Sequence, residues 1–163
     1  MREPHLDQQL IHNSSLSCFL IAYFIFQYQQ EKSSFVLDLP KLLTVLPLTW
    51  NEENREIINK RNAKSRIDDV LSNFPSLVVD LKSRFREHTP TTLQGINLAA
   101  SSQLIRITEP SNLQEFMPSM KRWPKGIKKS IPLSMIQTIE RLAKWLAMIS
   151  TEELYKLLFG AAQ

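Results

Sequence analysis

A ten-residue stretch framed by two prolines is the feature that most constrains how this chain can fold. Residues 39–48 carry apolar side chains at helical spacing, with Pro40 and Pro47 among them. Proline lacks a backbone N–H and clashes with the preceding turn, so a helix between these two is limited to about two turns. A helix this short depends on its neighbours for stability. The stretch therefore predicts a helical domain in which short elements pack on longer ones.

Chain length and glycine content restrict the fold class further. The chain has 163 residues, which suits one domain with its own hydrophobic core. Its three glycines disfavour an all-β fold with many turns and any phosphate loop built on several glycines. We expect a polar N-terminal tail over residues 1–12 and a single, mostly α-helical domain over residues 13–163.

Capping residues and prolines predict where the helices begin and end. Asn13 or Ser14 starts an apolar helix that runs to about Gln30. The predicted boundaries that follow are a capping box opened by Thr49, a helix start at Pro75, a boundary at Thr89-Pro90, a helix start at Pro132 and a second capping box opened by Ser150. Gly95 lies where a neighbouring backbone can approach closely.

A change from helical to alternating periodicity near residues 104–117 predicts a small β-hairpin. Ile105 and Ile107 alternate with Arg106, a turn follows, and residues 113–117 return as a second strand. A helix followed by a hairpin is also the order found in the second half of a winged helix, a fold that commonly binds DNA. The hairpin is accordingly predicted as a winged-helix-like element.

Several classes of protein are disfavoured by residues that the chain lacks or uses sparingly. The single cysteine, Cys18, lies in an apolar helix, which predicts a buried thiol and a cytoplasmic protein. The apolar run over residues 16–26 is too short to span a membrane, which takes about 20 residues. The three histidines have no partner at metal-ligand spacing, and the paired carboxylates lie at helix starts. We expect no enzyme activity, metal, cofactor or small-molecule substrate.

A basic loop over residues 121–129 is the segment best suited to binding. The net charge of the chain is +4, and this loop alone carries five cations around Trp123. Its candidate nucleic-acid-binding residues are Lys121, Arg122, Trp123, Lys125, Lys128 and Lys129. The cations suit phosphates and the indole suits stacking on a base. The alternative is a solvated linker that Trp123 anchors to the core.

Four landmarks, in order along the chain, resemble one protein family. They are an apolar first helix from Asn13 to Tyr28, the leucine-proline block over residues 39–48 with the charged stretch that ends at Arg55-Glu56, Phe85 and Pro90 followed by Thr91-Thr92-Leu93, and the closing pattern from Arg141 to Leu158. Together they resemble the middle component of bacterial three-component ABC systems, a family that includes the small accessory subunit of Lamassu-type defence systems.

The resemblance implies a non-catalytic adaptor that joins an SMC-like ATPase to an effector, often a nuclease, in defence against phage or plasmids. Its candidate partner interface is the charged exit of the leucine-proline block: Trp50, Asn51, Arg55 and Glu56. Trp50 and Trp123 are expected to be exposed anchors, and Trp145 to be part of the core. The alternatives are a free-standing winged-helix DNA-binding protein and a helical scaffold unrelated to defence.

Overall fold

The computed structural model describes residues 13–109 and 112–160, and in them the fold is mostly helical, as predicted. The predicted tail over residues 1–12 lies outside the described residues. The elements are α1 (Ser14–Gln30), α2 (Leu39–Leu42), α3 (Val45–Thr49), α4 (Glu52–Asn59), α5 (Ile67–Asn73), a 3₁₀ turn (Pro75–Val78), α6 (Leu81–Ser101), β1 (Ile105–Thr108), β2 (Glu115–Pro118), α7 (Lys125–Lys128), α8 (Leu133–Ala147) and α9 (Thr151–Phe159).

Helix α1 lies at the centre of the fold. Its N-terminus is capped as predicted, because the side chain of Asn13 accepts a hydrogen bond from the backbone N–H of Leu16 at 2.9 Å. The helix is apolar nearly all round, and such helices are buried on every side. Helices α6 and α8 pack along it, and strand β2 covers its C-terminal end. Cys18, in the first half of α1, is buried, in agreement with the prediction.

Gly95 brings α6 into close contact with α1. A Cβ atom at this position would overlap Ser17 Oγ and lie 3.0 Å from the carbonyl carbon of Ser17. The same serine donates a hydrogen bond to the carbonyl of Thr91 at 2.9 Å. The predicted close approach at Gly95 is therefore confirmed, and it sets the spacing of the two central helices.

The leucine-proline block forms two short helices, α2 and α3, where one was predicted. Pro40 occupies the first turn of α2, and Asp38 caps that helix by accepting from Lys41 N at 3.1 Å. Pro47 lies inside α3. Its missing N–H leaves the carbonyl of Leu43 without a helical donor, so the helix is interrupted between Leu42 and Val45.

Two predicted boundaries are wrong. Helix α4 is capped by Asn51, which accepts from Asn54 N at 3.0 Å, while Thr49 ends α3 and caps nothing. Helix α6 runs straight through Pro90. Proline is tolerated there because it is exposed and because buried residues on both sides of it, His88 and Thr91, hold α6 against the rest of the fold.

The predicted hairpin is present as an antiparallel pair in which Ile105 lies opposite Pro118 and Thr108 opposite Glu115. The second strand begins two residues later than predicted. Pro132 precedes α8, and the Ser150 capping box is confirmed by a 3.2 Å bond from Glu153 N to Ser150 Oγ. Within the described part of the chain, no helix has the length and apolar character that crossing a bilayer requires.

Candidate interaction surfaces

The basic loop joins β2 to α8, and Trp123 fixes it to the core. The indole ring is half-buried and lies 5.1 Å from the ring of Tyr23 and 6.1 Å from that of Phe26, between ring centroids. An aromatic ring packed in this way between two others has little face left for a base. Trp123 therefore anchors the loop in the manner of the alternative interpretation, and is not the exposed anchor that we expected.

The cations of the loop divide into two groups. Lys128 lies over the ring of Tyr23 at 5.6 Å and approaches Glu140 at 3.9 Å. The remaining four are exposed and have no salt bridge with any described residue: Lys121, Arg122, Lys125 and Lys129. The loop thus presents four cations to solvent from a backbone that Trp123 holds in place.

The charged exit, residues 49–56, includes Trp50, for which the structure differs from the sequence-based prediction. Trp50 is only 4% exposed, and its ring packs edge-on against His88 of α6 at 5.4 Å. It ends α3, which packs directly on α6, so the side chain turns inward. The expectation of an exposed anchor at Trp50 is wrong. Trp145 is buried, as expected.

The other three residues of the exit lie nearer to the surface. Asn51 is half-buried and caps α4, and half-buried Arg55 donates from Nη1 to the carbonyl of Thr49 at 3.0 Å. Glu56 is exposed. Asn51 caps α4 and Arg55 bonds to the end of α3, so both have structural roles. Glu56, on the same helix, is available for contact.

Buried polar atoms without a hydrogen-bond partner occur in Trp50 and in two residues of α6. His88 Nδ1, Trp50 Nε1 and Arg84 Nε have no hydrogen-bond partner among the described residues. Burial, reinforced by the nearby charge of Arg84, lowers the pKa of His88 to about 4. Burial also lowers the pKa of Arg84 below its ordinary value. His88 is consequently neutral at physiological pH and is a structural partner of Trp50.

Lys41 is a buried lysine that sequence reasoning missed. It is 0% exposed, and its Nζ donates to the carbonyls of Leu146 and Ile149 at 2.8 and 2.7 Å and to Tyr28 Oη at 3.0 Å. Burial lowers its pKa to about 8. Lys41 thereby satisfies carbonyls at the end of α8 and ties the leucine-proline block to it. Its position between Pro40 and two leucines, Leu42 and Leu43, was the only signal in the sequence.

A groove lies between α5, the end of α8 and α9. It encloses about 350 Å³ and is lined by Arg66, Ile67, Asp68, Trp145, Met148, Ile149, Glu153, Lys156 and Leu157. Met148 and Leu157 at its edge are 55% and 37% exposed. Sequence analysis did not find this groove, because its walls come from three elements separated along the chain.

The leucine-proline block also holds the helix that forms one wall of the groove. Thr151 Oγ1 donates to the carboxylate of Asp38 at 2.9 Å, and Tyr155 Oη donates to the carbonyl of Pro40. Both donors lie on α9, so the block sets where α9 lies against the end of α8.

Among the described residues, no three His, Cys, Asp or Glu side chains are grouped to hold a metal ion.

Comparison with known proteins gives one match. The chain is similar over residues 3–159 to the family model described as ABC-three component (ABC-3C) system Middle Component 3. The search of curated proteins and the search of solved structures return no match.

Proposed function

Because the chain belongs to the Middle Component 3 family of ABC-three component (ABC-3C) systems, we propose that it is a non-catalytic adaptor subunit of such a system. It links an SMC-like ATPase to an effector, often a nuclease, in bacterial defence of the Lamassu type. The observation that carries the proposal is the family match over residues 3–159, since a middle component has partner components by definition of the system.

The surfaces of the chain support a binding role. Glu56 is exposed beside a half-buried Arg55, and the groove between α5 and α9 combines an apolar floor with a charged rim. Protein interfaces typically have an apolar centre surrounded by polar groups. These surfaces suit protein partners better than a small-molecule reaction.

Reconstitution with the two neighbouring components tests the adaptor role. The chain is expected to co-purify with the ATPase and the effector together, and the ATPase and effector are expected to associate much less without it. If both partners stay separate from the chain at micromolar concentrations, or associate equally well in its absence, the adaptor proposal fails.

DNA contact by the basic loop is a second candidate function. It is supported by the four exposed cations and by the anchored position of Trp123. Such a surface favours phosphate contact without base readout, because packing against Tyr23 and Phe26 leaves little of the Trp123 ring for stacking. In this proposal the loop brings DNA to the assembled complex.

Salt dependence of DNA binding tests this second function. Replacing the five loop cations by alanine is expected to flatten the slope of log K against log salt by about 0.9 for each phosphate that the loop no longer neutralises. A matched variant changes five exposed cations elsewhere to alanine and should retain most of the slope: Lys60, Lys64, Lys82, Arg86 and Lys144. Equal slopes for the loop variant and the unchanged chain would mean that the loop does not contact DNA phosphates.

The free-standing winged-helix alternative is less well supported. Helix α6 precedes the hairpin as a recognition helix would, but its exposed face mixes Leu93, Leu98 and Glu87 with polar residues, so only part of it suits DNA: Lys82, Arg86, Gln94 and Asn97. Recognition helices usually present cationic and amide side chains to DNA. Sequence-specific DNA binding by the isolated chain would favour this alternative over the adaptor.

A further inference from the structure

We propose that the groove between α5, the end of α8 and α9 receives a basic amphipathic helix from one of the partner components. This inference rests on the adaptor function proposed above and names the surface and the chemistry of the contact.

The floor and edge of the groove are apolar. Ile67, Trp145 and Ile149 are buried at its base, and Met148 and Leu157 are exposed at its edge. Helix-in-groove recognition uses such surfaces, which take apolar side chains spaced one turn apart along the incoming helix. Methionine is well suited to this because its flexible thioether adapts to the shape of the partner.

Two cations and two carboxylates line the groove, and two further carboxylates, Asp69 and Glu152, lie next to these lining residues in the chain. Arg66 pairs with Asp68 at 3.2 Å, and Lys156 pairs with Glu152 at 3.3 Å. The pKa of Arg66 is raised chiefly by its hydrogen bond with Asp68 and further by the charges of Asp69 and Glu153, which have no ion-pair partner among the described residues. The rim and these two neighbours together therefore have two carboxylates in excess, which complement cations beside the apolar stripe of an incoming helix.

The position of the groove separates this contact from the basic loop. The loop lies at the N-terminal end of α8 and the groove at its C-terminal end. Helix α8 has 15 residues and is about 22 Å long at 1.5 Å per residue. A phosphate backbone is repelled by the acidic rim, so a protein helix at the groove and an anion at the loop can be bound together.

Matched leucine variants test the apolar part of the contact. Leu157→Glu places a charge at the edge of the groove, and Leu98→Glu does so at a leucine of α6 with nearly equal exposure, 37% against 38%. Each purified variant is titrated separately with the ATPase and the effector component. Leu157→Glu is expected to weaken binding of one component by about tenfold or more, and Leu98→Glu by less than about twofold. Met148→Glu should repeat the effect of Leu157→Glu.

A charge-reversed pair tests the basic character of the partner helix. Asp69→Lys with Glu153→Lys should weaken the same binding more at low salt than at high salt, because exposed charges are screened by salt. The control pair is Glu31→Lys with Glu87→Lys, both exposed elsewhere. Circular dichroism of each variant should match that of the unchanged chain, which checks that the variant is folded.

The outcomes distinguish this proposal from the adaptor function. If the unchanged chain binds its partner components and the groove variants bind them equally well, the groove proposal is wrong and the adaptor function stands. If the groove variants alter only self-association in size-exclusion chromatography, the occupant is a second copy of this chain, which also overturns the proposal. An unchanged chain that binds neither component rejects the adaptor function itself.

Discussion

The ammonium nitrogen of Lys41 lies 2.7 Å from the carbonyl oxygen of Ile149, across 108 positions of the chain. With the carbonyl of Leu146 and the hydroxyl of Tyr28, it completes a buried three-acceptor site that joins α2 to the end of α8. Lys41 thus holds the leucine-proline block to the end of α8, while its neighbours Asp38 and Pro40 hold α9, which is a second element of the groove.

Replacing Lys41 by Met tests this connection through its pH dependence. The folded-state pKa is about 8 against an ordinary 10.5, so between these values the unfolded chain binds more protons and stability rises with pH. At pH 7 the variant should lose only about 1 kcal/mol, because the cost of burying the ammonium offsets most of its hydrogen bonds. By pH 10 the loss should grow by about 2 kcal/mol.

Urea unfolding at several pH values measures this difference, with Lys144→Met as the control. Lys144 is exposed on α8, so its replacement should change stability by less than about 0.5 kcal/mol at every pH. A constant gap between the unchanged chain and the Lys41 variant from pH 8 to pH 10 would mean that Lys41 keeps its ordinary pKa when buried.

His88 predicts a loss of stability in acid. Its folded-state pKa is about 4 against an ordinary 6.5, so as pH falls through this window protons bind preferentially to the unfolded chain. The stability of the unchanged chain relative to His88→Gln should fall by about 3 kcal/mol between pH 7 and pH 4. Both proteins retain Arg84 beside His88 and the carboxylates near Arg84, Asp80 and Glu53, so the difference isolates His88. Parallel acid profiles would contradict the prediction.

Gly95→Ala should destabilise the fold by about 1–3 kcal/mol, since the added methyl group overlaps Ser17 and forces α1 and α6 apart. Gly126→Ala is the matched control, because nothing lies within 4 Å of the added Cβ there. It should be neutral or slightly stabilising. A double-mutant cycle with Ser17→Ala should recover part of the Gly95 loss, and strictly additive losses would show that the two residues do not touch.

Substitutions in the charged exit should separate folding from binding. Trp50→Ala removes a buried indole and should cost about 3–5 kcal/mol of stability. Glu56→Ala, at an exposed position, should change stability by less than about 0.5 kcal/mol. Thermal unfolding compares the two. A Trp50 variant as stable as the Glu56 variant would place the indole outside the core.

The sequence by itself determined those features that depend on residues close together in the chain. The caps at Asn13 and Ser150, the apolar character of α1 and the hairpin all follow from local hydrogen bonding and periodicity, and each was predicted. The boundary at Pro90 failed because packing on α1 outweighs the local effect of a proline. The cap at Thr49 failed because Asn51, two residues later, caps the same helix.

Only the tertiary structure decided which side chains are buried and which surfaces exist. Trp50 turned inward because α3 packs on α6, Lys41 was buried because the end of α8 supplied carbonyls to it, and the groove formed where three distant elements meet. Burial of a polar group is favourable only when partners from elsewhere in the chain satisfy it. The identity of those partners is a property of the folded chain. The sequence therefore predicted the fold more accurately than it predicted the candidate sites.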